Sequence, residues 1–110
     1  MNPHYYDESW IETDHSVTET DICVYGGTAA GIAAGVAATE LGKSVVVLHP
    51  GRALGGMTTG GLGLTDLGNK AAIGGIARRF YRVLGSLYAG RFGKGEEVWT
   101  FEPSVATAGL

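Results

Sequence analysis

The sequence predicts an α/β fold organised around a βαβ unit, and three observations carry that reading. Two short apolar runs, Asp21-Ile22-Cys23-Val24-Tyr25 and Ser44-Val45-Val46-Val47-Leu48, have the composition of buried strands. Glycines at 26 and 27 close the first run, and the turn signal His49-Pro50-Gly51 closes the second. Between them lies AAGIAAGVAATELG, alanine-rich and free of proline, which predicts a helix of about twelve residues with Gly42 at its C-cap. A strand, a crossover helix and a second strand in so short a span require parallel strands, with the helix on one face in the right-handed sense. Both strands read as buried on both faces, as parallel strands normally are.

The chain has 110 residues, enough for one small domain. Residues 1–21 carry six acidic and no basic side chains, whereas residues 22–110 carry eight basic and five acidic. Residues 1–20 read as a polar acidic tail with little regular structure, able to dock through Tyr5, Tyr6, Trp10 and Ile11. No basic run points to nucleic acid. The N-terminal stretch lacks the basic start and apolar core of a signal peptide, and no apolar stretch is long enough for a membrane span, so a cytoplasmic protein is expected. A single cysteine, Cys23, permits no disulfide within the chain and reads as a buried core thiol. Histidines at 4, 15 and 49 lack the spacing of a metal site, so no metal is expected.

Residues 51–75 contain nine glycines and are too broken for a regular element. Leu54, Met57, Leu62, Leu64 and Leu67 distinguish them from a flexible linker and point to a loop that binds something. Beyond it, Ile73, Ile76, Ala77, Phe80, Val83, Leu84 and Leu87 form an apolar stripe of helical period. Arg78, Arg79 and Arg82 lie off the stripe and read as a solvated face, with a phosphate or carboxylate as the alternative partner. The remainder offers a glycine-rich turn, the apolar run Val98-Trp99-Thr100-Phe101 and a proline, with no closing element.

Gly26-Gly27-Thr28-Ala29-Ala30-Gly31 sits between the first strand and the helix, where a dinucleotide-binding fingerprint belongs. There the first glycine permits a tight turn, the second admits a pyrophosphate, and the third lets helix and strand pack closely. Thr28 occupies the second glycine's place and offers a hydroxyl instead. The helix N-terminus supplies free N–H groups and partial positive charge. Gly35, one turn beyond Gly31, keeps that helix face flat against the sheet. The acid expected at the end of the second strand, facing the adenosine ribose, is His49, whose neutral ring can accept one hydrogen bond. A turn histidine facing solvent is the alternative.

The string from Asp21 to Asn69 resembles the N-terminal segment of FAD-dependent oxidoreductases of the two-dinucleotide-binding-domain type. It is most similar to the branch with GGTPAG, LGGMTTGG and TDxGN strings, related to heterodisulfide reductase A-like flavoproteins, and the likeness continues through GGIARRFY and WTFEP. Ala29 stands where proline is usual and His49 where glutamate is usual. The resemblance implies an incomplete Rossmann-like FAD-binding domain over residues 21–110, truncated at its C-terminus. It further implies that Gly26, Gly27, Thr28, Ala29, Ala30 and Gly31 cradle the FAD pyrophosphate, with His49 and Pro50 facing the ribose. Arg52, Gly55, Gly56, Met57, Thr58 and Thr59 match the second FAD loop. None of these is an acid, base or nucleophile, so the flavin itself would carry the redox chemistry.

The expected function is therefore the FAD-binding segment of a flavin-dependent oxidoreductase, with an undefined small-molecule or redox-partner substrate and a need for further polypeptide. A catalytically incompetent nucleotide-binding fragment and an NAD(P)-binding Rossmann module are the alternatives. The second loop favours FAD over the latter. Asp66, the only carboxylate of the glycine-rich loop, is the candidate for a polar role near the cofactor, against the reading of a turn residue. Apolar surface is expected where further strands would pair.

Overall fold

Strands β1 (Ile22–Tyr25) and β2 (Val45–Leu48) pair in parallel, Ile22 opposite Val45 and Tyr25 opposite Leu48, with α1 (Ala29–Glu40) crossing between them. The computed structural model describes residues 9, 11–13, 15–66, 68–92 and 96–110, with side chains given as far as residue 89 and again from 96. Two more helices follow, α2 (Gly75–Phe92) and α3 (Pro103–Gly109), with 3₁₀ turns at Gly56–Thr58 and Lys70–Ala72. This is a mixed α/β architecture with a βαβ unit, a partial Rossmann-like domain. The readings of Tyr5, Tyr6, Trp10, Leu67 and the turn near Lys94 lie outside the described residues.

Local chemistry sets both ends of α1. Thr28 is its extended N-cap, φ −76° and ψ 171°, and the Thr28 hydroxyl accepts the Gly31 N–H at 3.2 Å. At the other end Gly42 adopts φ +74°, and the N–H groups of Gly42 and Lys43 donate to Thr39 O and Ala38 O, both at 3.0 Å. That is a Schellman closure, which uses the left-handed conformation glycine adopts without steric cost.

The strands are not buried on both faces. Alternation turns Val24, Val45 and Val47 toward α1, as the glycines there show: a Cβ on Gly35 would lie 3.7 Å from both Val45 Cγ1 and Val47 Cγ2. Cys23, Tyr25 and Leu48 point to the other face, where Tyr25 is 87% exposed and Leu48 47%. Cys23 is exposed, not a core thiol, because among the described residues only α1 covers this sheet and Cys23 has the wrong parity to meet it. Burial of both faces needs a second layer, which the composition of a single strand cannot reveal.

A polar clamp joins the N-terminal ends of the strands. Asp21 Oδ2 accepts the Ser44 N–H at 2.8 Å and the Ser44 hydroxyl at 2.9 Å. The Asp21 N–H donates to Ser44 Oγ at 2.9 Å. Backbone and then side-chain bonds from Ser44 hold the Asp21 carboxyl below its ordinary value of 3.8. A lowered folded-state pKa means that this clamp stabilises fully above the unfolded value and is lost as pH falls through the folded one. Chemical denaturation should therefore show an Asp21-dependent loss of stability only below about pH 4, absent in Asp21→Asn.

The principal core lies outside the βαβ unit. Leu84 and Ala106 are fully buried, Tyr88 and Phe101 nearly so, and Phe80, Tyr81, Val98 and Val105 pack around them. This buried face of α2 is rotated from the stripe the sequence suggests: Val83 and Leu87 are exposed, while Tyr81, Gly85 and Tyr88 turn inward. The cause is the segment that crosses it. Val98 N–H donates to Tyr81 O at 3.1 Å, and a Cβ on Gly85 would fall 1.7 Å from Glu96 O. The chain also has a closing element, since α3 begins at Pro103 in the N1 region and buries Ala106 against α2. Proline there is pre-set for a helix start.

Candidate functional site

Dinucleotide ligands bind outside the carboxyl ends of parallel strands, and here that edge is formed by the two glycine loops after β1 and β2. The loops are joined directly. Gly55 N–H donates to Gly27 O at 2.7 Å, and Thr28 and Gly55 form a parallel bridge. A Cβ on Gly56 would lie 3.6 Å from Thr28 Cα, so the second loop runs against the first.

Within the first loop the glycines do different things. Gly26 has φ +114°, which excludes other residues on conformational grounds, and faces open space. Gly31 has no room for a side chain: its Cβ would sit 2.0 Å from Gly26 O and 3.3 Å from Val24 Cγ1. That contact lets α1 start directly over β1. Gly27 is buried with both backbone groups engaged, its C=O by Gly55 and its N–H by His49 Nδ1 at 3.3 Å. It therefore shapes the turn. Thr28 spends its acceptor on Gly31 and retains its hydroxyl proton. The Ala30 N–H, in the first turn of α1, has no partner among the described residues and points where a helix favours an anion.

His49 is half-buried, not a solvent-facing turn residue. Its ring lies between two glycines, with Cγ 2.9 Å from where a Gly27 Cβ would be and Nε2 3.0 Å from a Gly51 Cβ. Accepting from Gly27 fixes Nδ1 as the unprotonated nitrogen, so the neutral ring carries its proton on Nε2 and presents a donor, where the sequence suggested an acceptor. Leu54, unremarked as a site residue, closes the turn: its Cδ2 would meet a Gly27 Cβ at 2.4 Å. No local signal distinguishes it from any other loop leucine.

In the second loop, Gly55 (φ +98°) and Gly56 (φ +57°) turn the chain into the 3₁₀ segment. The Thr59 hydroxyl is already committed to Leu54 O and is not free to donate to a ligand. Pro50, Arg52 and Met57 are exposed. Asp66 shares a cavity of about 220 Å³ with Met57, Thr58 and Leu64, beside Tyr81, whose hydroxyl donates to Thr65 Oγ1 at 3.0 Å. A larger apolar cavity of about 400 Å³ lies between α1 and α2, bounded by Ala30, Ala33, Val36, Ile76 and Phe80 and reaching Thr58.

Arg78, Arg79 and Arg82 of α2 do not form a free cationic face. Arg78 and Arg82 both approach Glu97, at 3.0 and 3.2 Å, and Arg79 pairs with Glu40 at the end of α1. Lys70 lies over the Trp99 ring, which stacks on Tyr81 at 4.3 Å. Phe101 N–H donates to Gly63 O at 2.8 Å, so the Val98–Phe101 run holds the far half of the glycine loop as well as covering α2. No three His, Cys, Asp or Glu side chains come together as a metal site among the described residues. No described helix is long and apolar enough to cross a membrane.

The residues present suit the diphosphate of an adenine dinucleotide: an open turn at Gly26, a helix start held tightly by Gly31, an unused Ala30 N–H and a second backbone loop alongside. No curated protein and no solved structure matches the chain. The family model for FAD dependent oxidoreductases matches residues 21–110, a span that takes in β1, both glycine loops and the three helices. With that coverage joined to this geometry, the chain belongs to the FAD-dependent oxidoreductase family.

Proposed function

We propose that the chain binds the ADP part of FAD across the two loops, as a flavin-binding segment of an oxidoreductase in the branch related to heterodisulfide reductase A-like flavoproteins. The observation that carries this is the join between the loops, Gly55 N–H to Gly27 O at 2.7 Å, which places the fingerprint and the second glycine loop on one edge. A nicotinamide-binding fingerprint needs only the first. Ala30 N–H and the Thr28 hydroxyl proton would meet phosphate oxygens, Gly26 would let them approach, and His49 would lie toward the ribose. Arg52 would add positive charge at the edge, while Met57 and Thr58 would run toward the flavin. Bound FAD would supply the hydride or electron transfer, and the chain's residues would supply position and field. Asp66, which lines a cavity with Met57 and Thr58, would supply a carboxylate toward that end of the cofactor.

Isothermal titration with ADP, FAD and FMN tests this reading. ADP and FAD should bind the full chain and FMN, which lacks the adenosine half, should not. Binding of FMN without ADP would overturn it.

A further inference from the structure

The cavity of about 400 Å³ between α1 and α2 has no part in holding the nucleotide, and its walls restrict what can fill it. Ala33 and Val36 on α1 and Ile76, Phe80 and Val83 on α2 make them apolar. Ala29 to Val36 on one wall and Ile76 to Val83 on the other each span about 10 Å at helical rise. The one charged side chain that lines the slot is Arg79, which pairs with Glu40 and so ties the last turn of α1 to α2. That tie obstructs a polypeptide running through. A helix about 10 Å across filling the same length would need roughly 800 Å³, about twice the space present. The volume is instead that of a small-molecule pocket. With Arg79 already paired, a charged ligand would be desolvated there without a counter-ion, which selects a neutral body. Of the two hydroxyl side chains lining the slot, that of Tyr81 donates to Thr65 Oγ1, and that of Thr58 has no partner among the described residues.

We propose that this slot binds a neutral lipophilic alcohol or ketone, its hydrocarbon body between α1 and α2 and its oxygen accepting from the Thr58 hydroxyl. Burial of the body supplies the affinity, and the single hydroxyl at one end sets the direction in which the ligand lies. Thr58 also lines the cavity that holds Asp66, so the oxygen end lies where the two cavities meet. Resting on the flavin site proposed above, in which Thr58 runs toward the flavin, the slot takes the oxidoreductase's second ligand, its small-molecule substrate.

The test is calorimetric titration of the full chain, without FAD, with the 1-alkanols from butan-1-ol to decan-1-ol. Affinity should rise about fourfold per methylene. The rise should stop at about eight carbons, when an extended chain fills the 10 Å slot. Octanoate should bind about tenfold more weakly than octan-1-ol, because its charge enters unpaired. Ala33→Phe and Ala77→Phe, which fill the slot from opposite walls, should each abolish octan-1-ol binding, and Ala34→Phe, outside the lining, should not. Thr58→Val should weaken octan-1-ol roughly fivefold and leave the chain-length dependence unchanged. An affinity that climbs through decan-1-ol without levelling, or that survives both filling variants, would overturn the proposal, since partition onto exposed apolar surface behaves that way. Absence of alkanol binding would overturn it too, while a chain that still retains FAD would leave the flavin site standing. Binding by a chain that retains no FAD would uphold the slot and overturn the flavin reading.

Discussion

Replacing Gly31 with alanine should abolish flavin binding and destabilise the βαβ unit by about 3 kcal/mol, near the upper end of overpacking costs. The added methyl would lie 2.0 Å from Gly26 O, a backbone atom in a turn with φ +114°, so neither partner has a flexible side chain to move aside. Relief requires α1 to shift away from β1. That shift would open the Thr28 cap and displace the Ala30 N–H from the strand ends, so cofactor binding and stability should fall together. Gly35→Ala is the control, one helical turn on. Its Cβ would make ordinary contact with Val45 and Val47 at 3.7 Å, and alanine is favoured over glycine in a helix by about 1 kcal/mol. Gly35→Ala should stabilise the protein and leave binding intact. Thermal melts with and without FAD on the two variants check both outcomes.

Leu84→Ala should cost about 3 kcal/mol and act through the other part of the molecule. Leu84 is the only large side chain fully buried among the described residues, and it holds α2, α3 and Phe101 together. Its Cδ2 would lie 3.0 Å from a Cβ at Gly109, so α3 rests directly on it. Removing it leaves a cavity that the aromatic rings around it, Phe80 and Phe101 at 6.0 Å in an edge arrangement, cannot collapse to fill. Denaturant titration should show the lowered midpoint. The two glycine loops meet through their own backbone bond, Gly55 N–H to Gly27 O, so ADP affinity measured below the transition should change less than threefold.

The βαβ unit was legible in the sequence because its signals are local: two β-branched runs, a proline-free helix and glycines at the caps. The same holds for the two loops, whose glycines mark positive φ or close approach at 26, 31, 55 and 56. What the sequence concealed depends on partners distant in the chain. Cys23 is exposed because among the described residues no second layer covers its face, and the apolar stripe of α2 is rotated because residues 96–101 cross at Gly85. Arg78, Arg79 and Arg82 are tied to Glu97 and Glu40, carboxylates that spacing alone could not assign to them. His49 was identified by position, but the nitrogen it presents became visible only with its bond to Gly27.

The central claim is that the two glycine loops, joined through Gly27 and Gly55, hold FAD. Its most direct test is the visible absorption spectrum of the purified chain after incubation with excess FAD and desalting. Flavin bands retained by the wild type and by Gly35→Ala, and lost in Gly31→Ala, are the result expected. A folded wild-type chain that emerges colourless would contradict it.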